Sequence, residues 1–231
     1  MIDFTKILSQ PTRWPSAGDV LFAQSPSGRH TPIQQKPADR LRYMIDGYEH
    51  AASHLISKAL RDSREDEGLI YPIVFLYRHL IELSLKEMIE TFGPRAGVEA
   101  DRKNHRLGIL WEKYRKICVA LSVADDDEAY PHMTAIIAEF DGVDPGSFSF
   151  RYHLDRDGKP VDLKHPAIDL ARLGDVMRGI TNYFGGAYSY MWDRESFMRE
   201  YEAEQAAEWR AEEAAQWRAE QEAEWRSQSY E

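Results

Sequence analysis

The sequence predicts an all-α protein: an antiparallel helical bundle, a small β-hairpin inserted before its last core helix, and a long C-terminal helix. Three observations carry this. Apolar residues recur at three and four over most of residues 38–190; the period switches to two only near residues 148–163; and the C-terminal segment is rich in Ala, Glu, Gln and Arg.

Composition bounds the rest. Of 231 residues, 43% are hydrophobic and 12% aromatic, enough for one medium-sized core. The formal net charge of -10 argues against a general DNA coater, yet it is unevenly placed. Residues 200–231 hold 10 acidic and 3 basic side chains, whereas the first 199 residues hold 29 and 26. The body is therefore nearly neutral, and a local basic groove is compatible with it. A single cysteine, Cys118, excludes an intramolecular disulfide and a cysteine zinc site. No uninterrupted apolar run and no basic-then-apolar leader stands out, so a soluble cytoplasmic protein is expected.

Residues 1–37 contain Pro11, Pro15, Pro26, Pro32 and Pro37 and read as an irregular arm, with Trp14, Val20, Leu21 and Phe22 as candidate anchors. Residues 38–192 form the helical domain. Its first helix, about 38–62, is marked by Leu41, Met44, Ile45, Tyr48, Ala52, Leu55, Ile56 and Ala59. The second, about 69–92, opens near Pro72 and closes at Gly93-Pro94. Its apolar set covers roughly 200° of arc at 100° per residue, which predicts a central helix. The third, about 104–122, carries the stripe Leu107, Leu110, Trp111, Tyr114, Ile117, Cys118 and Leu121, which makes Cys118 a buried thiol. Met133, Ile136, Ile137 and Phe140 mark a short fourth helix.

Phe148, Phe150, Tyr152 and Leu154 then alternate with Ser149, Arg151 and His153. Asp155 to Pro160 reads as a turn, and Val161 and Leu163 as the return strand. Helical spacing resumes from Ile168 to Ala187, where Gly185-Gly186 predicts a kink or a close backbone approach. Residues 193–231 predict a helical tail with Trp209, Trp217 and Trp225 eight residues apart, each followed by Arg, and an ion pair from Glu222 to Arg226. Eight residues advance about 80° beyond two turns, so the tryptophans fan across the helix and disfavour a two-stranded coiled coil. They are a candidate surface for a protein partner or for self-association.

One polar row interrupts the second helix. Arg78, Glu82 and Lys86 stand at i, i+4 and i+8, with His79 and Glu90 beside them. Glu82 can pair with both cations and hold two positive groups at a fixed separation, an arrangement that suits phosphate. The same spacing describes the solvated edge of an amphipathic helix. His105 is either a general acid/base near this row or a first-turn residue behind an Asn104 N-cap. His50 and His54 are an i, i+4 pair in "HAASH", without the acid of H-E-x-x-H or an evident third ligand. No P-loop, dinucleotide-binding or nucleophile-elbow motif is present, and no cofactor or metal is implied.

The segments "YPIVFLYRHLIELSLKEMI" (71–89), "NHRLGILWEKY" (104–114) and "SFRYHLDRDGKPVDL" (149–163) together resemble a group of prokaryotic HEPN-domain proteins over roughly residues 40–190. In that group R-H-x-x-E-L-x-L-K precedes H-x-L-x-x-L-W and an aromatic-Arg-Tyr segment. The resemblance implies a HEPN-like helical bundle that forms a homodimer, and either RNA or nucleotide binding or metal-independent RNA cleavage in toxin and anti-phage defence settings. The E-x-x-x-K/R element of ribonuclease members is matched by Glu82 and Lys86, while their R-x(4–6)-H element has no counterpart here. Together with the polar row, this makes Arg78, Glu82, Lys86 and His105 the candidate catalytic set, with His79, Arg151 and Tyr152 as candidate substrate-binding residues. A catalytically inactive dimeric adaptor that docks a partner through its C-terminal helix is the alternative.

Overall fold

The computed structural model describes residues 15, 17–22, 31–61, 67–123, 128–155, 157–163 and 165–228. Among them are α1 (Pro37–Arg61), a single 3-10 turn (Glu67–Leu69), α2 (Ile70–Phe92), α3 (Leu107–Ala120), α4 (Tyr130–Val143) and α5 (Leu170–Gln228). The protein is mostly helical, as the periodicity predicts. The chain divides into two units, residues 1–40 and 41–231. In the first, Val20, Leu21 and Phe22 are exposed, and Trp14 lies outside the described residues.

In the second unit α2 is the central helix. Thirteen of its 23 residues are buried, including Ile73, Tyr77, Leu80, Ile81, Leu85, Met88, Ile89 and Phe92, so the wide apolar arc does mark a helix covered on most sides. It packs against α3 and α5. By length and composition the stretch Glu67–Phe92 is also apolar enough to cross a bilayer, although Arg78 and Glu82 lie in its middle. Here its apolar faces are covered by protein.

The α3 stripe is buried as its spacing predicts, Cys118 included, except that Leu121 is half-buried at the helix end. Trp111 stacks on Tyr130 of α4 with ring centres 5.4 Å apart, and its indole N–H donates to Thr134 at 3.0 Å. Tyr114 meets Tyr183 of α5 through their hydroxyls at 3.2 Å. A large buried aromatic thus keeps its polar end satisfied while filling the core. Pro131 sits in the first turn of α4, where a missing N–H removes no helical hydrogen bond.

Among the described residues of 148–163, the expected hairpin is reduced to the antiparallel bridge Leu154 to Pro160, with the Asp155 amide on the Lys159 carbonyl and the Val161 amide on the His153 carbonyl. Pro160 lacks the N–H that would extend a ladder, and the Asp144 carboxylate instead takes the amides of Phe148 and Ser149. The last core helix and the tail are one continuous helix across residue 193, as the helical tail expected from there allows. At Gly185 and Gly186 an added Cβ would meet nothing within 4 Å, so no backbone approaches them.

The close approaches lie at other glycines. At Gly174 a Cβ would stand 3.1 Å from Ile56, which brings α1 and α5 together. At Gly93 it would stand 2.3 Å from the Ile89 carbonyl oxygen and 2.4 Å from that of Val98, where the chain leaves α2. Gly93 has helical φ and ψ, so space and not conformational freedom demands glycine there.

Gly93→Ala is therefore expected to lower stability by about 2–3 kcal/mol. Gly185→Ala and Gly186→Ala, in an open stretch of helix, are each expected to raise it by roughly 0.5–1 kcal/mol. Urea unfolding followed by far-ultraviolet circular dichroism checks the opposite signs.

Candidate functional site

The charged row of α2 runs into the core. Arg78 is 0% exposed and Glu82 1%. Their i, i+4 spacing brings Arg78 Nη1 to Glu82 Oε2 at 2.7 Å. The other carboxylate oxygen, Oε1, is shared: Lys86 Nζ and His105 Nδ1 each lie 2.8 Å from it. Glu82, Lys86 and His105 are thus gathered into one cluster, from two segments of chain 23 residues apart.

Arg78 spends its remaining donors on backbone. Nε donates to the Asp144 carbonyl at 3.1 Å, and Nη2 donates to the His105 carbonyl. The Asp144 carboxylate faces the same guanidinium at 3.7 Å, and its Oδ1 accepts the amides of Phe148 at 2.6 Å and Ser149 at 2.9 Å. One buried cation therefore ties the segment before α3 to the segment after α4. A fully enclosed guanidinium does not reach a substrate, so the expected substrate-contacting role of Arg78 gives way to a positioning role.

Burial pushes the Glu82 carboxyl up, but hydrogen bonds from Lys86, His105 and Arg78 outweigh it and hold the group below its ordinary value of 4.5. Glu82 is therefore ionised at neutral pH and accepts only. It follows that Nδ1 of His105 carries the proton it donates, and that Nε2 of the neutral ring is the free acceptor. The imidazole is 57% exposed and Lys86 15%, so the cluster opens to solvent on the side of His105. Lys86 also donates to the Arg102 carbonyl at 3.2 Å. This leaves one of its three N–H groups for a ligand.

Asn104 does not cap α3. The helix starts at Leu107 behind an extended Arg106, and the Asn104 side chain accepts the Arg106 amide at 2.9 Å while donating to Asp101 at 3.2 Å. His105 consequently sits on a braced loop instead of in a helical turn. That loop, "RKNHR" over residues 102–106, is basic. Arg102 pairs with Glu90 and Arg106 with Asp141, while Lys103 is exposed and has no ion pair among the described residues. The run of four basic residues in five positions is legible in the sequence as a local positive patch, but it has no helical spacing to mark it as a site. Asp144 was missed because nothing in "VDPGS" distinguishes it from an ordinary turn aspartate.

The expected substrate-binding residues form a neighbouring column. His79 meets Tyr48 edge-on at 4.9 Å and stacks on Phe75 at 5.7 Å. The Arg151 guanidinium lies 5.4 Å from the Phe75 ring and 5.5 Å from Tyr152, and Tyr152 stacks on Phe148 at 4.5 Å. Arg151 and Tyr152 are both exposed, which overturns the alternation expected of a strand. His79 is outside the hydrogen-bonded cluster. Burial lowers its pKa, with Glu82 opposing and Arg78, Lys86 and Arg151 adding to the effect. Among the described residues no group of three or more His, Cys, Asp or Glu could hold a metal ion.

No family model, curated protein or solved structure matches this chain.

Removing one member of a buried ion pair strands the other. Glu82→Ala is expected to cost about 3–5 kcal/mol, whereas the double variant Arg78→Met/Glu82→Leu costs less than the two single losses combined. A double-mutant cycle in urea measures the coupling.

Folding favours neutral His79, so its penalty is absent above pH 6.5 and grows as pH falls from there through the lower folded value. Glu87 acts oppositely: burial raises its carboxyl, so its contribution is full below 4.5 and fades as pH rises through its folded value. The difference in unfolding free energy between the wild type and His79→Phe isolates the histidine. It is expected to move against the wild type below pH 6.5, and a flat difference is the contrary result.

Proposed function

We propose that this chain is a HEPN-like RNA-binding protein whose Glu82–His105 pair cleaves RNA without a metal. The observation that carries this reading is the single carboxylate oxygen that Lys86 and His105 share, beside a basic loop and at an opening to solvent.

Each residue type has a task in that chemistry. Glu82 fixes the tautomer of His105, so Nε2 can take the proton from a ribose 2′-hydroxyl. The resulting alkoxide attacks the adjacent phosphorus to form a 2′,3′-cyclic phosphate as the P–O5′ bond breaks, and the leaving 5′-oxygen takes a proton from solvent water while His105 later releases the one it accepted. Lys86 is placed to stabilise charge that develops on the phosphate oxygens. Lys103 supplies a nonspecific phosphate contact. Tyr152, exposed and stacked on the half-buried Phe148, offers a face for an unpaired base, since stacking contributes about 1–3 kcal/mol per base. The resemblance over residues 40–190 supports the same assignment and adds a homodimer in a toxin or anti-phage setting. Because R-x(4–6)-H has no counterpart, the reading rests on His105 as the acid/base group.

The adaptor reading is favoured by one observation: every described side chain from Arg199 to Arg226 is exposed on α5. The two readings separate on total RNA incubated with the protein in chelator. Cleavage is expected, with His105→Ala slower by at least about 100-fold and Lys86→Ala also reduced. Lys103→Ala is expected to weaken filter retention of RNA and reduce the dependence of log K on log salt by about 1. Intact RNA together with no retention at low salt leaves the adaptor.

A further inference from the structure

The tail of α5 has features that the site does not use. Tyr201, Trp209, Trp217 and Trp225 follow one another at intervals of eight residues and are 51%, 63%, 61% and 70% exposed. Successive rings are therefore about 12 Å apart along the axis and about 80° apart around it. Arg210 and Arg218 curl back onto the carbonyls of Ala206 and Ala214, at 2.9 Å and 3.1 Å. Their cations are thus drawn onto the helix, and the pair expected between Glu222 and Arg226 does not form, since an exposed pair gains too little to hold two long side chains together. Among the described residues, Glu204, Glu208, Glu212, Glu213, Glu220 and Glu222 make no ion pair. The outcome is a helix whose apolar rings project from an uncompensated negative field.

From this surface we infer a docking site for a basic, amphipathic protein segment, one that carries Lys or Arg on both flanks of an apolar stripe. Charge selects the partner class. Residues 200–231 have a balance of 10 acidic to 3 basic side chains, which repels nucleic acid, anionic lipid and the identical tail of a second copy. The rings supply what charge lacks: exposed indoles gain by entering apolar clefts, and aromatic anchors dominate interface energetics. The fan supplies the selectivity. A straight segment faces only part of a helix, so it engages either Trp209 with Trp217 or Trp217 with Trp225. Trp217 belongs to both pairs and is the central anchor. The proposal does not depend on RNA chemistry at Glu82 and His105.

The test uses the full-length protein and an 18-residue Leu/Lys amphipathic helical peptide, with a Leu/Glu peptide, oligolysine, single-stranded RNA and vesicles of anionic lipid as comparators. The fractions of tryptophan emission that shift and the binding curves are read for the wild type and for Trp209→Ala, Trp217→Ala and Trp225→Ala. Alanine favours helix at these exposed positions, and circular dichroism verifies that each variant keeps it. The Leu/Lys peptide is expected to bind, Trp217→Ala to weaken it by about tenfold or more, and the outer variants to weaken it less. Oligolysine binding as tightly as Leu/Lys, equal effects of all three substitutions, or none, would overturn the proposal. So would preferential shifts with Leu/Glu peptide, RNA or vesicles. A dimer by sedimentation that becomes a monomer in the triple variant would assign the surface to a second copy and overturn it too.

Discussion

Arg78 is the constraint on which the rest of the site depends. A guanidinium with no solvent exposure needs a countercharge and acceptors for its N–H groups, or its desolvation would cost more than the helix could recover. Glu82 supplies the charge one turn away, and the carbonyls of His105 and Asp144 supply acceptors from two other segments. Satisfying one buried cation therefore dictates where the loop before α3 and the loop after α4 sit. The apolar residues around it make the core, but they do not by themselves set these positions, because burial is non-directional and a hydrogen bond is not.

The same carboxylate faces two environments. Toward the interior Oε2 neutralises Arg78; toward the surface Oε1 receives Lys86 and His105. A surface carboxylate would orient these groups weakly, since water and rotamer entropy compete for it. Buried and held below its usual pKa, Glu82 is a fixed acceptor, and the exposed imidazole inherits a defined tautomer from it. The exposed edge of the cluster is thus at the surface while the group that organises it is in the core, so the stability of the fold and the orientation of His105 are coupled at one side chain.

Charge is divided unevenly between the body and the tail. Near neutrality of the first 199 residues lets a short cationic loop at 102–106 dominate its surroundings, because like charges farther than about a Debye length of 8–10 Å are screened. The acidic helix beyond Arg199 meets the body through Arg95 and Glu202, and no described side chain from Arg199 to Arg226 is covered. One continuous helix gives both halves their place, with Met177, Ile180, Phe184 and Met191 in the core and the tryptophan series in solvent.

The sequence by itself determined the helices, the central position of α2 and the burial of Cys118, because each follows from a period of 3.6 and from the sign of one face. It also pointed to Arg78, Glu82 and Lys86 as a row, since i, i+4 contacts are local. It misread residues 148–163: alternation recommends a strand, but a strand needs a partner with free N–H groups, and Pro160 and the Asp144 carboxylate redirected that backbone. Only tertiary structure decided that His105 joins Glu82, that Arg78 faces inward, that Asp144 stands behind it, and that Arg151 and Tyr152 are both exposed. The physical reason is that each of these depends on which distant carbonyl or carboxylate satisfies a buried charge, and no repeat spacing along the chain records that.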